Sequence, residues 1–252
     1  MGKIEQVVDL LAKSKSCVAF TGAGVSTESG IPDYRSPGGV WATSDPVYYD
    51  QFLASPESRY EYWRQKSLTH AEFERAKPNV AHEVLASWEQ AGKLRGVVTQ
   101  NIEGKHREAG SQHVLELHGT AREVSCLDCG ERWPAGPWVE QFLNEDRVPD
   151  CPQCGGRLKH ATVSFGQQLP ADVLEQAQQW ARECDLFFAL GSSLVVYPAA
   201  SLPEIAKIGG AKLVIINRTE TALDYQADVI INEELGPTLK AIDQCWRDRD
   251  ES

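Results

Sequence analysis

The 252-residue chain is predicted to be an α/β protein built on a doubly wound parallel sheet. Three observations predict this fold. Several short runs are apolar throughout, as in strands that helices cover on both faces. Stretches with helical periodicity lie between several of those runs, and this alternation is the doubly wound pattern. A glycine turn, Gly22-Ala23-Gly24, directly follows the first apolar run, as in the strand-to-helix turn of a Rossmann-like sheet.

The elements follow from local periodicity. Ile4, Val7, Val8, Leu10 and Leu11 recur at helical spacing, which predicts an amphipathic first helix. Strands are predicted over residues 17–20, 94–99, 114–117, 186–190, 213–216 and 229–231. Helices between strands are predicted over residues 81–92, 171–182 and 198–207.

Two segments depart from this alternation. Residues 34–77 are aromatic, polar and mostly helical in pattern, and residues 120–159 contain two CxxC pairs. Both are interpreted as insertions that build a smaller domain beside the sheet. The predicted Rossmann-like domain comprises residues 1–35, 78–119 and 160–246. The small domain comprises the helical insertion 36–77 and the zinc module 120–159, and the charged end 247–252 is expected to be frayed.

The CxxC pairs predict a metal site. Cys126 and Cys129 form one pair, Cys151 and Cys154 the other, and each pair presents two thiolates from one tight turn. Two such turns complete a tetrahedral Zn²⁺ site. Because four sulfurs leave no open position for water, the zinc is predicted to be structural. Two disulfides or unrelated buried thiols are the alternatives.

The charge and the apolar content of the chain limit the kinds of partner that the protein is expected to bind. The formal net charge of −11 argues against direct nucleic-acid binding, which needs clustered Lys and Arg, and suits a cationic partner. No run approaches the roughly 18 apolar residues that span a membrane. The N-terminus lacks a secretory apolar region, so a cytoplasmic location is expected. The protein is expected to be a monomer.

Polar residues follow several predicted strands at their carboxyl ends. The glycine turn exposes backbone N–H groups, which favours an interpretation as a pyrophosphate-binding turn. The alternative interpretation is an ordinary tight turn without a ligand. Ser192 and Ser193 follow the strand at 186–190, and Asn217 follows the strand at 213–216, in positions that commonly contact a nucleotide. Together these strand ends predict one dinucleotide in the crevice of the sheet.

Two further strand ends provide reactive groups. Gln100, Asn101 and Glu103 follow one strand, and His118 follows another and precedes a glycine. An isolated histidine is more often a packed or surface residue than a catalytic one. The position of His118 favours catalysis, because catalytic groups of open α/β sheets lie at carboxyl ends.

Taken together, these motifs resemble the sirtuin family of NAD-dependent protein-lysine deacylases. They occur in the family's order over residues 17–232: Gly22-Ala23-Gly24-Val25-Ser26, Gly30-Ile31-Pro32-Asp33-Tyr34-Arg35, Thr99-Gln100-Asn101-Ile102, His118-Gly119, the two CxxC pairs and Gly191-Ser192-Ser193-Leu194.

The resemblance implies NAD as a consumed co-substrate, one structural Zn²⁺ and acyl-lysine protein or peptide substrates. It implies phosphate contacts from Gly22, Ala23, Gly24 and Ser26, and a loop over the nicotinamide ribose that includes Ile31, Asp33, Tyr34 and Arg35. It places Gln100, Asn101, Ile102 and Glu103 near the nicotinamide, and Gly191, Ser192, Ser193, Asn217 and Arg218 at the adenosine half. It assigns peptide contacts to Val163, Phe165 and Gly166.

The resemblance also implies a mechanism. His118 is expected to take a proton from a ribose hydroxyl as general base, and Asn101 to orient the ribose or a water. The expected products are nicotinamide, 2′-O-acyl-ADP-ribose and free lysine, from acetyl or other aliphatic acyl groups. A protein mono-ADP-ribosyltransferase and a non-catalytic NAD sensor are the alternative functions.

Three features depart from the family pattern. Glu103 stands where most members have Asp, and Gln167 stands where a Glu is usual. The acidic-acyl branch of the family uses a Tyr-x-x-Arg pair, and the segment Tyr60-Glu61-Tyr62-Trp63-Arg64 lacks that spacing. Succinyl and malonyl lysine are therefore expected to be disfavoured.

Overall fold

A computed structural model describes residues 2–34, 36, 38, 39 and 45–250. Its main sheet has six parallel strands in the order β3-β2-β1-β7-β8-β9. These strands are β1 (Cys17–Thr21), β2 (Leu94–Thr99), β3 (Val114–Glu116), β7 (Leu186–Leu190), β8 (Lys212–Ile216) and β9 (Val229–Ile231). The predicted doubly wound sheet is confirmed, and every predicted strand of it lies within one residue of the observed one.

Helices cover both faces of this sheet. They are α1 (Lys3–Lys13), α4 (Val80–Gln90), α5 (Lys105–Glu108), α7 (Ala171–Glu183), α8 (Leu202–Ile208) and α9 (Leu235–Asp250). Alternate β1 residues face opposite sides: Ala19 packs with α1, α4 and α9, whereas Phe20 packs with α7 and α8. The two-residue period of a strand thus divides one continuous apolar run between two cores. The helix predicted over 198–207 differs, because a 3₁₀ turn at Ala199–Ser201 precedes α8.

The order of the strands in the main sheet indicates where a ligand would bind. Chain connections run in one direction from β1 to β2 and β3, and in the other from β7 to β8 and β9, so the order reverses between β1 and β7. Ligands of open α/β sheets bind outside the carboxyl ends of the strands at such a reversal. The glycine turn after β1 leads into a 3₁₀ helix, Ala23–Ser29.

The two insertions form one small domain, as predicted. Its elements are α2 (Tyr49–Ala54), α3 (Pro56–Arg75), β4 (Gly119–Cys126), β5 (Arg132–Pro134), α6 (Ala135–Glu145) and β6 (Leu158–Thr162). The strands form an antiparallel sheet in the order β5-β4-β6. Phe52 and Trp63 from the helical insertion share a core with Val124 and Phe142 from the zinc module. The Trp63 indole N–H also donates to the Leu158 carbonyl at 3.1 Å.

The C-terminal segment differs from expectation. Residues 247–252 were predicted to fray, but α9 continues to Asp250. Trp246 is buried against the main core, Arg247 donates to Ser87 Oγ at 2.6 Å, and Arg249 forms an ion pair with Asp9. Charged side chains therefore attach the last turn of the helix to neighbouring elements. In the part of the chain that the structure describes, no helix has the length and apolar character to cross a membrane.

Candidate functional site

A cavity of about 900 Å³ lies at the carboxyl ends of the main sheet, where the sheet faces the small domain. This volume is in the range of small-molecule sites. The structure brings most of the predicted site residues to its wall. They are Gly22, Ala23, Gly24, Asp33, Tyr34, Gln100, Asn101, Ile102, His118, Val163, Phe165, Gly166, Gly191, Ser192, Ser193 and Asn217.

Four of the predicted residues that the structure describes do not line this cavity. Ser26, Ile31 and Glu103 are buried behind its wall. Arg218 is exposed and donates to Thr27 Oγ1 at 3.2 Å. Arg35 lies outside the described residues.

The glycines at the cavity floor have a packing role. A Cβ on Gly22 or Gly24 would lie 2.8 Å from the carbonyl oxygen of Gly191, and a Cβ on Gly191 would lie 2.5 Å from the backbone nitrogen of Val25. The Gly24 N–H donates to the Gly191 carbonyl at 2.8 Å. The turns after β1 and β7 therefore touch backbone to backbone, a contact that only glycine allows. This contact brings the predicted phosphate-binding turn beside Ser192.

His118 is held at the cavity wall by one hydrogen bond. Its Nδ1 lies 2.9 Å from the carbonyl oxygen of Gln100. Because a carbonyl oxygen only accepts, we assign the proton to Nδ1 and leave the lone pair on Nε2. Burial lowers the pKa of His118 below its ordinary value of 6.5, against the opposing effect of the Gln100 bond. At neutral pH the ring is therefore an uncharged base beside the cavity.

Asn101 is fixed by the residues beneath it. Its side-chain amide donates to the Gly22 carbonyl at 3.1 Å and to Ser26 Oγ at 3.3 Å. Its backbone N–H donates to Thr99 Oγ1 at 3.0 Å. Asn101 is 7% exposed, so these bonds set its orientation with little competition from water.

The buried carboxylate of Glu103 faces Ser26 and the Ile102 backbone. Its carboxylate accepts from Ser26 Oγ at 2.6 Å and from the Ile102 N–H at 3.1 Å, and the residue is 5% exposed. Burial, and secondarily the charge of Glu103, raise the pKa of Tyr34 to about 12. In this conformation Glu103 supports Ser26 and Asn101 from behind the wall.

Two buried histidines lie under the site and were not predicted. His106 Nε2 is 2.9 Å from Thr21 Oγ1, and the rings of His82 and His106 are 4.8 Å apart. Burial, and secondarily Lys105, lower the pKa of His82 to about 4. Burial, and secondarily His82, hold the pKa of His106 well below its ordinary value. His82 lies among apolar residues of α4 and His106 among charged residues of α5, and neither pattern signals a position under the site.

Gln167, which stands where a Glu is usual, makes two hydrogen bonds with Ser164. Its side-chain oxygen accepts from the Ser164 N–H at 3.1 Å, and its own N–H donates to the Ser164 carbonyl at 3.0 Å. The turn that contains Phe165 and Gly166 is closed by these two bonds. Phe165 is 36% exposed at its tip, and its ring lies 5.6 Å from the Tyr48 ring.

The four predicted metal ligands converge in the small domain. Their sulfurs all lie within 4.8 Å of one another, with 3.5 Å between Cys126 and Cys154 and 3.7 Å between Cys129 and Cys151. A disulfide needs about 2.05 Å, so neither pair is bonded. A tetrahedron with Zn–S bonds of about 2.3 Å has S···S edges of about 3.8 Å. The Asp128 and Cys129 N–H groups donate to Cys126 Sγ, each at 3.4 Å. The donor set fits one structural Zn²⁺ and leaves no ligand position open.

The fold and the site define a class: a nucleotide-binding α/β protein with its cleft at the sheet reversal and a Cys₄ structural zinc module. The family model for the Sir2 family matches residues 22–198, more than half of the chain. The chain belongs to the Sir2 family.

Relatives of similar length agree with this assignment. An NAD-dependent protein deacetylase 1 of Bradyrhizobium diazoefficiens is 45% identical over 238 residues, which are 94% of this chain and 93% of the relative. An NAD-dependent protein deacetylase of Rhodopseudomonas palustris is 47% identical over 239 residues, 94% of each chain. A solved structure of Sir2 with a p53 peptide and NAD⁺ superposes with a TM-score of 0.85 at 36% identity and covers all of both chains.

Proposed function

We propose that this chain removes acetyl or other aliphatic acyl groups from protein lysines in an NAD-dependent reaction. The products are nicotinamide, 2′-O-acyl-ADP-ribose and free lysine. The observation that carries this proposal is the hydrogen bond between His118 Nδ1 and the Gln100 carbonyl, because it leaves Nε2 as a base beside the cavity. The names of the relatives, NAD-dependent protein deacetylases, support the same reaction.

The residues present fit NAD as the co-substrate. Gly22, Ala23 and Gly24 offer backbone at the reversal of the sheet, and Ser192, Ser193 and Asn217 offer hydroxyl and amide groups on the same wall. Bound NAD supplies the ribose that accepts the acyl group and the nicotinamide that leaves. Gln100 donates to Ser192 Oγ at 2.8 Å, which ties the β2 end to the β7 end across β1.

In this proposal Nε2 of His118 accepts the proton of a ribose hydroxyl. The Gln100 carbonyl then stabilises the imidazolium that forms. Asn101 orients the ribose or a water from a side chain whose amide is already held by Gly22 and Ser26. A base of this kind contributes about 10²–10⁴-fold to a rate.

The proposed peptide site is the segment that follows β6. The Val163 N–H donates to the His118 carbonyl at 2.8 Å, so this segment is attached directly to the catalytic turn. Phe165 and Gly166 line the same cavity. An extended peptide could add its backbone to such a segment, and the alternate side chains would then set specificity. One related solved structure is that of Sir2Tm bound to a propionylated peptide.

The test is mass spectrometry of the protein with NAD and an acetyl-lysine peptide. We expect acetyl loss matched by nicotinamide and O-acetyl-ADP-ribose, and no acetyl loss with His118→Tyr at unchanged NAD binding. Nicotinamide release with ADP-ribose left on protein would establish the transferase instead. Intact NAD across a panel of acyl peptides would favour the sensor.

We further propose a monomer that acts in the cytoplasm and binds no nucleic acid directly. The absence of disulfides among the seven cysteines supports the cytoplasmic location, and the net charge of −11 argues against direct nucleic-acid binding. Light scattering coupled to size exclusion checks the monomer, and a mass of twice 27.9 kDa would contradict it.

A further inference from the structure

The wall of the cavity reaches the protein surface at an exposed tyrosine. Val196, Tyr197 and Pro198, in the segment between β7 and α8, line the cavity. Phe165 and Gly166 of the proposed peptide segment line it as well. Tyr197 is 62% exposed to solvent. Tyr197 therefore lies at the rim of the cavity, where residues that flank an acyl-lysine would leave it.

A second exposed tyrosine lies beside this rim. Tyr225, in a short 3₁₀ helix, is 79% exposed, and its hydroxyl accepts from the Gln226 side-chain amide at 2.8 Å. The same amide donates to Glu204 Oε1 at 3.3 Å. The other carboxylate oxygen of Glu204 is 3.5 Å from the Tyr197 hydroxyl, a long contact for an O–H···O bond. One carboxylate thus lies between the hydroxyl ends of two exposed tyrosines.

The carboxylate of Glu204 lacks a counter-charge. No Lys, Arg or His forms an ion pair with it in the part of the chain that the structure describes. Lys207, one turn further along α8, pairs with Asp228 at 2.7 Å, and Lys212 pairs with the same carboxylate at 2.8 Å. The charge of Glu204 raises the pKa of Tyr197 above its ordinary value of 10.0. The negative charge at this rim is therefore available to a cation from outside the chain.

Two aromatic rings and a carboxylate suit a cationic side chain. A guanidinium group is attracted to aromatic faces, and it pairs with a carboxylate through its planar fork of N–H donors. Arginine is also more weakly hydrated than lysine, so it loses less by leaving water. The net charge of −11 favours the approach of such a group.

We propose that Tyr197, Tyr225 and Glu204 form a subsite for a basic side chain, arginine above all, that flanks the acyl-lysine in the substrate peptide. This inference rests on the proposed function and names a class of substrate sequence for it. Tyr197 connects the subsite to the cavity, Glu204 supplies the charge, and Tyr225 supplies a second ring. The subsite selects among acyl-lysines and leaves the chemistry at His118 unchanged.

The test compares acetyl-lysine peptides that carry either arginine or its neutral near-isostere, citrulline, at one flanking position. The substitution is moved through the three positions on each side of the acetyl-lysine. We expect arginine to be favoured about five- to tenfold in kcat/KM at one or two of these positions. Added salt should reduce this preference, because salt screens exposed charges.

Variants of the chain test which residues cause the preference. In Glu204→Gln the arginine-to-citrulline ratio should fall to about one to two, and in Tyr225→Leu it should fall about two- to threefold. Neither side chain lines the cavity, so kcat/KM for the citrulline peptide should stay unchanged. Glu140→Gln removes a carboxylate at an exposed position of α6 and is the matched control, which should keep the full ratio.

Equilibrium binding of the same peptide pairs without NAD gives a second readout that needs no turnover. Equal kcat/KM for arginine and citrulline at every position, or an unchanged ratio in Glu204→Gln, would overturn the subsite even if acetyl-lysine is a good substrate. Failure to remove acetyl from any peptide would contradict the proposed function, and the ratio of Kd values would then decide the subsite alone. If Glu204→Gln does not fold, Tyr225→Leu carries the comparison.

Discussion

The Nδ1 atom of His118 lies 2.9 Å from the carbonyl oxygen of Gln100, and the two residues line the same cavity. Gln100 follows β2, and His118 follows β3, its neighbour in the sheet. The backbone of one strand end therefore selects the tautomer of the base at the next. This hydrogen bond leaves Nε2 as the atom that we propose accepts a proton, and in the described part of the chain no carboxylate bonds to the ring.

The first prediction concerns pH. His118 must be neutral to act as a base, and burial lowers its pKa below 6.5. We expect the acid limb of kcat/KM, along which the ring gains a proton, to be centred below pH 6.5. A pH series on an acetyl-lysine peptide measures this, because kcat/KM reports the free enzyme. An acid limb centred above pH 6.5 would contradict the assignment.

The second prediction concerns Glu103. Glu103→Ala removes the acceptor of both the Ser26 hydroxyl and the Ile102 N–H, which are buried. We expect a loss of about 2–4 kcal/mol in the free energy of unfolding, together with weaker NAD binding, because Ser26 also holds Asn101. Urea unfolding and calorimetric NAD titration measure the two effects. Glu123→Ala, which removes an exposed ion pair with Arg132, is the control and should cost under about 1 kcal/mol.

The third prediction concerns the glycine contact. Gly24→Ala places a methyl group 2.8 Å from the backbone of Gly191, where no flexible side chain can yield. We expect a loss of about 1–3 kcal/mol in the free energy of unfolding. Gly136→Ala is the matched control, since its nearest neighbour, His70, is 3.9 Å away and the position is helical. Equal stability of the two variants in urea would show that the turns after β1 and β7 can separate freely.

The fourth prediction concerns the metal. Cys126→Ser removes one of four thiolates, so the protein should lose its zinc and melt at a temperature lower by about 5 °C or more, because structural-zinc binding is folding free energy. Elemental analysis should find one Zn²⁺ per unaltered chain. Cys245→Ser, at an exposed cysteine outside the cluster, should keep the metal and the melting temperature. A metal-free Cys126→Ser variant of unchanged stability would refute a structural role.

The sequence by itself determined the elements that depend on local pattern. Apolar runs such as residues 186–190 became buried strands, and the CxxC spacing brought four sulfurs together, since two residues between cysteines close one turn. Strand ends also predicted part of the cavity wall, such as Gly22, Gln100 and Ser192, because parallel strands bring their carboxyl ends to one edge. The charged end was misjudged, because the partners of Arg247 and Arg249 are Ser87 and Asp9, which are distant in sequence.

The tertiary structure alone decided where side chains meet across elements. It turned Glu103 toward Ser26, set Gly24 against Gly191, and brought Lys66 and Lys159 to one aromatic ring. No periodicity reports such contacts, because each joins residues dozens of positions apart. Burial lowers the pKa values of Lys66 and Lys159, and this burial exists only once the chain has packed.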